Sequence, residues 1–104
     1  MDAPRGSCLV LFLSVRASRE DPEYDAFARQ MADLVEHQPG FLGMVSVRDP
    51  HTLQGMTAAT FETEAAALAW KQVVEHRQAQ QAGRDRLYRD YRVIVTQVVR
   101  SYGR

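Results

Sequence analysis

The chain lacks most of what marks a stapled, secreted or polyanion-binding protein. One of its 104 residues is cysteine, Cys8, so no internal disulfide can form. Cys8 opens an apolar run, where a thiol packs as a small hydrophobe and stays inert. Lys plus Arg number 13 and Asp plus Glu number 13. A formal net charge of zero leaves no positive excess to hold nucleic acid or an anionic membrane surface. The apolar run Cys8–Val15 is too short to cross a bilayer. The residues before it, MDAPRGS, have neither the apolar region nor the cleavage site of a secretory signal. These absences point to a soluble cytoplasmic protein.

Chemistry-bearing motifs are equally scarce. His37, His51 and His76 are scattered, with no H-x-x-H pair among them, and Cys8 has no partner cysteine. No metal site within one chain is therefore expected. There is no G-x-S-x-G elbow for a nucleophile. Gly40-Phe41-Leu42-Gly43 is not followed by a helical pattern, so it reads as the entry to a strand and not as a phosphate loop. No internal repeat or low-complexity tract is present.

What the chain does have is regular patterning. Residues 1–7 hold Pro4 and Gly6 and read as a flexible N-terminal tail, and 8–104 as a single domain. Cys8–Val15 is a strand apolar on both faces, with Leu9, Leu11, Leu13 and Val15 on one side and Cys8, Val10 and Phe12 on the other. Asp21-Pro22-Glu23 starts a helix: Asp as N-cap, Pro in the first turn, an acid near the positive end of the dipole. Tyr24, Phe27, Met31, Leu34 and Val35 give it an apolar stripe of about four turns, and Gln38-Pro39-Gly40 stops it. Phe41–Arg48 and Gln54–Glu62 form a hairpin across a loop of about five residues. Thr63 caps a second, alanine-rich helix reaching Gly83, and Arg92–Arg100 is the last strand.

The order β-α-β-β-α-β is that of the ferredoxin-like split βαβ unit, an α+β fold with an antiparallel sheet and two helices on one face. Strands apolar on both sides need a second cover, and another copy of the same sheet is the simplest one. Burying ~600 Å² of apolar surface per subunit is worth roughly 15 kcal/mol of gross transfer energy at about 25 cal/mol/Å², most of it offset by association costs. A homodimer is expected.

The second helix carries the candidate chemistry in Ala69–Gly83, AWKQVVEHRQAQQAG. On a helical wheel Ala69, Val73, His76 and Gln80 share one face, taken here as the inward one. Trp70 and Arg77 sit on its shoulder, while Lys71, Gln72 and Glu75 are solvated. Two readings of His76 and Gln80 are open: they satisfy each other or nearby backbone inside the core, or they face a pocket beside Trp70. Further on, Arg84, Arg86, Arg89 and Arg92 alternate with Asp85 and Asp90, the pattern of local ion pairing on a solvated face. Tyr88 and Tyr91, neighbours at i and i+3 if that segment is helical, either close the core or offer phenols to a pocket.

Three stretches carry a resemblance: HQPGFLGMVSVRDP (37–50), TFETEAAALAW (60–70) and EHRQAQQAGRDRLYRDYRV (75–93). Through them the chain resembles the antibiotic biosynthesis monooxygenase (ABM) family of small dimeric α/β-barrel proteins, from Cys8 to Tyr102. That resemblance implies an ABM-like domain and one of three roles. The first is cofactor-independent oxygenation of phenolic or quinol-like molecules. The second is haem binding and degradation, which in the family uses an Asn on the first strand, a Trp on the second helix and a His just after it. The third is non-enzymatic binding of a small ligand. Trp70 matches the haem group's Trp, but the matching His position holds Ala79 or Gln80, His76 is offset by about a turn, and CLVLFLSV has no Asn. The expectation is therefore a monooxygenase acting on an aromatic or quinone-like molecule, with no cofactor, and haem through His76 as the alternative. His76 would be the base, Trp70 an aromatic wall and Arg77 an enolate stabiliser; Gln80, Tyr88, Tyr91, Val73 and Phe12 would contact the substrate.

Overall fold

The computed structural model describes residues 1–79 and 87–104. The elements are β1 (Cys8–Arg16), α1 (Pro22–Val35), β2 (Phe41–Arg48), β3 (Gln54–Phe61), α2 (Glu64–Ala79) and β4 (Tyr88–Gln97). The sheet order is β2-β3-β1-β4, and every neighbouring pair is antiparallel. This is the ferredoxin-like α+β arrangement that the β-α-β-β-α-β order implies.

The local signals act where the sequence puts them. Asp21 accepts a hydrogen bond from the Tyr24 amide at 3.0 Å, and Pro22 occupies the first helical position of α1, where no amide donor is missed. Thr63 Oγ1 accepts from the Ala66 amide at 3.1 Å and starts α2. Gly40 sits at φ +81°, and a Cβ there would stand 2.8 Å from that of Ala66, so both backbone and packing require glycine. Gly40 leads into β2, a strand entry as the sequence indicates.

The core lies on one face of the sheet. Cys8, Ala59 and Phe61 from the strands meet Val35 of α1 and Ala67 of α2, with Phe41, Met44 and Trp70 packed around them. Cys8 is buried, and burial, with a smaller contribution from Glu64, pushes its thiol pKa up, so it remains a protonated packing group.

Two bulges set which residues reach this face. Phe41 pairs with Phe61 but Gly43 with Thr60, which leaves Leu42 as an extra residue in β2. Asp90 pairs with Val15 but Tyr88 with Arg16, which leaves Arg89 extra in β4. Each bulge brings residues three apart onto one side: Phe41 with Met44, and Tyr88 with Tyr91.

Among the described residues the opposite face has no helix. Val45, Ala58, Leu11 and Ile94 form one row across all four strands, and Val47, Met56 and Leu13 continue into the next. Val45 is 50% exposed, Val47 59% and Met56 42%. The first residues of the chain touch one end of the sheet: Thr60 Oγ1 donates to the Asp2 carbonyl, and Met1 lies over Gly43. Among the described residues no helix is long and apolar enough to cross a membrane.

The last strand differs from its sequence reading. It runs over Tyr88–Gln97 and not Arg92–Arg100. Its start is fixed by pairing with Arg16 at the end of β1, which no local propensity records.

Candidate functional site

β3 ends at Phe61, opposite Cys8, and β4 begins at Tyr88, opposite Arg16. α2 therefore runs back along the sheet from the Cys8 end toward the Arg16 end. It lies over β3 and β1. The helix-side residues of β4 stay open: Tyr91 is 63% exposed, Val93 43% and Val95 53%.

Beside this opening the aromatic side chains gather. The Phe12 ring stacks on Tyr91 with centroids 5.7 Å apart and meets Tyr88 edge-on at 5.1 Å. Tyr88 in turn meets Tyr24 of α1 edge-on at 5.5 Å. The result is an aromatic strip along β1 and β4, walled on one side by α1. Trp70 belongs to the same helix-side surface but packs at its other end, against the cluster that holds Cys8 and Phe61.

The inward stripe of α2 is not the one drawn on the helical wheel. Ala67 is buried, and Trp70, Val73, Val74 and Arg77 are half-buried, whereas Ala69 and His76 are exposed. The face is turned by about one residue, ~100°, because the large indole takes the inner position. The reading of His76 as a buried, internally satisfied group is thereby corrected. Lys71 and Glu75 are exposed as expected and form an i, i+4 ion pair at 3.3 Å. Gln80, the helix stop at Gly83, and Arg84, Asp85 and Arg86 lie outside the described residues.

The alternative of a helical segment around Tyr88 and Tyr91 is also corrected: both lie on β4, brought together by the Arg89 bulge with ring centroids 6.3 Å apart. Of the residues singled out from sequence, the fold thus brings together Phe12, Tyr88 and Tyr91. Trp70, Val73 and Arg77 share the inward side of α2, and His76 is exposed on its flank.

Burial, reinforced by the neighbouring Tyr24 phenol, raises the Tyr88 pKa far above the usual phenol value; the guanidiniums of Arg48 and Arg16 oppose this only in part. Tyr88 is therefore a neutral hydrogen-bonding phenol throughout the physiological range. The folded state holds this proton more tightly than the unfolded chain. The stabilisation is thus complete below the ordinary phenol pKa of 10.0 and is lost as pH rises above it. The melting temperature of the wild type is expected to fall more steeply than that of Tyr88→Phe between about pH 10 and 12. Parallel melting curves over that range would refute a buried neutral phenol.

Sequence reasoning missed Arg16, Arg48 and Tyr24. The Arg16 guanidinium lies 4.3 Å from the centre of the Tyr24 ring, and that of Arg48 5.7 Å. Both arginines end apolar strands, and that is the one signal that separates them from the surface arginines. Among the described residues no group of three or more His, Cys, Asp or Glu side chains gathers to hold a metal ion.

With this geometry the comparisons agree. Residues 7–82 match the sequence profile of the antibiotic biosynthesis monooxygenase (ABM) family, and the chain belongs to that family. YqjZ of Bacillus subtilis (strain 168), itself uncharacterized, is 37% identical over 92 residues, 88% of this chain and 79% of YqjZ. Two solved structures share the fold. SnoaB, a cofactor-independent oxygenase from Streptomyces nogalater, is 14% identical, covers 94% of this chain and 97% of its own, and has a TM-score of 0.65. MhuD, a heme-degrader from Mycobacterium tuberculosis with two hemes in its active site, is 21% identical, covers 92% and 99%, and has a TM-score of 0.65. The fold thus hosts chemistry both with and without haem.

His37, His51 and His76 are all exposed, and the helix-side residues of β1 are Cys8, Val10, Phe12, Ser14 and Arg16, with no Asn.

Proposed function

We propose that this chain is a cofactor-independent oxygenase acting on an aromatic or quinone-like small molecule laid on the strip of Phe12, Tyr88 and Tyr91. The observation that supports this is the stacked pair of Phe12 and Tyr91, 5.7 Å apart, left open beside the apolar Val93 and Val95. Flat aromatic rings are what such a surface takes up. The substrate supplies the electrons. A base removes its phenolic or enolic proton, the resulting anion reduces O2, and the two radicals join at an activated ring CH2. Loss of water leaves a carbonyl: CH2 plus O2 gives C=O plus H2O.

In this scheme His76 takes the proton, imidazole being the side chain suited to proton exchange near neutral pH. Because His76 is exposed, the acidic oxygen of the substrate lies at the rim of the strip and not on its floor. Val73 closes the α2 side, Trp70 forms an aromatic wall at the far end of the surface, Arg77 stabilises the enolate, and the Tyr88 and Tyr91 phenols and Gln80 orient substrate oxygens. Two subunits join through the helix-free sheet face.

His76→Gln is expected to cut oxygen uptake with an anthrone-type substrate about 10²-fold, the usual scale for loss of a general base. An imidazole limb should vanish from its pH–rate profile. Because the residue is exposed, the melting temperature should not move. Full rate in the mutant excludes His76 as the base. A sharp Soret band at one haem per subunit, lost in His76→Ala, would replace this reading with a haem enzyme.

A further inference from the structure

The aromatic strip ends in a group of guanidiniums and hydroxyls that the oxygenation scheme leaves unused. Arg48 closes β2 and lies across Gly55, where a Cβ would stand 2.5 Å from Arg48 Cζ. The absence of a side chain at Gly55 is what gives this guanidinium its seat. From there Nη1 donates to the Leu53 carbonyl at 2.6 Å, and Nη2 donates to Ser14 Oγ at 2.9 Å and to the Tyr24 hydroxyl at 3.0 Å. Leu53 adopts φ 66°, in the left-handed region that a leucine enters only when its surroundings hold it there. Its carbonyl also accepts from the Arg16 amide at 3.0 Å. The end of the sheet is therefore built firmly around these two arginines.

Arg16 is the less satisfied of the two. Its side chain is 13% exposed, and its Nη1 meets Asp25 Oδ1 at 3.4 Å. Nε and Nη2 are buried and have no hydrogen-bond partner among the described residues. A buried cationic donor without an acceptor is costly, and arginine cannot relieve the cost by giving up its proton. The two unpartnered nitrogens are also the adjacent pair along one edge of the guanidinium. That edge matches the two oxygens of a single carboxylate. Across the strands Arg16 pairs with Tyr88, whose ring touches Phe12.

We propose that Arg16, with Arg48, Ser14 and Tyr24, forms an anion subsite at the end of the strip, and that it holds the carboxylate of an aromatic acid whose ring lies on Phe12 and Tyr91. This rests on the strip being the ligand surface and names the substrate class as acidic. The half-exposed Asp25 competes for Arg16 from the solvent side, so a ligand carboxylate displaces or shares that contact. The ring fixes position along the strip, and the charge fixes which end of the molecule points inward.

The test compares 1-hydroxy-2-naphthoate with 1-hydroxy-2-naphthamide at constant ionic strength, by calorimetry and Trp70 fluorescence. The acid is expected to bind the wild type about tenfold more tightly than the amide, the scale of a hydrogen bond to a charged group. Arg16→Gln should erase that preference and leave the affinity for the amide unchanged. Asp25→Asn removes the competing carboxylate, lowers the melting temperature of the free protein because Arg16 loses its ion pair, and should tighten binding of the acid several-fold. Equal affinity of acid and amide for the wild type, or an unchanged preference in Asp25→Asn, overturns the subsite. If neither naphthalene compound binds, the strip reading fails on its own account, and melting in benzoate against benzamide then reads the subsite alone. A rise in melting temperature specific to benzoate and larger in Asp25→Asn upholds it; equal melting in the two overturns it.

Discussion

Replacing Phe61 by Ala is expected to lower the melting temperature by ~15 °C or more. The ring is fully buried, pairs across the strands with Cys8, and packs edge-on against Phe41 with centroids 5.7 Å apart. Val35 from α1 and Ala67 from α2 belong to the same cluster, so one side chain ties both helices to the sheet. Truncating a buried Phe costs about 3–5 kcal/mol, the transfer term plus the cavity left behind. A domain of this size loses roughly 4–8 °C per kcal/mol. Its total stability is of order 5–15 kcal/mol, so the variant would stand near the edge of folding. Thermal unfolding followed by circular dichroism measures this directly. A shift under about 5 °C would mean that the core is centred elsewhere.

Met56→Lys is expected to convert a dimer into a monomer. Met56 is 42% exposed on the helix-free face, beside Val47 on one neighbouring strand and Leu13 on the other. In a single chain the new ammonium reaches water without disturbing the helix-side core. Between two sheets it would be buried without a counter-charge, at a cost of several kcal/mol per subunit. Light scattering at micromolar concentration should give twice the chain mass for wild type and the chain mass for the variant. A monomeric wild type, or a variant that stays dimeric, removes the sheet-on-sheet assembly.

Much of this architecture was legible because it is written in local chemistry. The Asp21-Pro22 start of α1, the Thr63 start of α2 and the Gly40 stop all depend on residues within one helical turn, and the hairpin loop between β2 and β3 is marked by its turn residues. The start of β4 and the two bulges were not legible, since a register is settled by a partner strand far away in sequence. Strict alternation would have put Phe41 opposite Met44 and Tyr88 opposite Tyr91; the extra residues Leu42 and Arg89 put each pair together. The inward side of α2 was misjudged because the wheel was centred on the polar His76 when the volume of Trp70 decides which side turns in. The guanidinium cluster stayed hidden because Arg16 and Arg48 are 32 positions apart along the chain and come to the same Tyr24 ring only once β1 and β2 flank β3.

The Arg89 bulge has a consequence for how this surface tolerates change. Tyr88 shares a side of the sheet with Tyr91 because one extra residue stands between them, whatever its side chain. A substitution at Arg89, which is exposed, leaves that count intact. Deleting Arg89 places Tyr88 two residues from Tyr91, and regular alternation then keeps both phenols on the helix side, opposite Arg16 and Ser14. The bulge is therefore one of two ways to hold the two phenols together, and among related chains this stretch can be one residue shorter and keep Tyr88 beside Phe12.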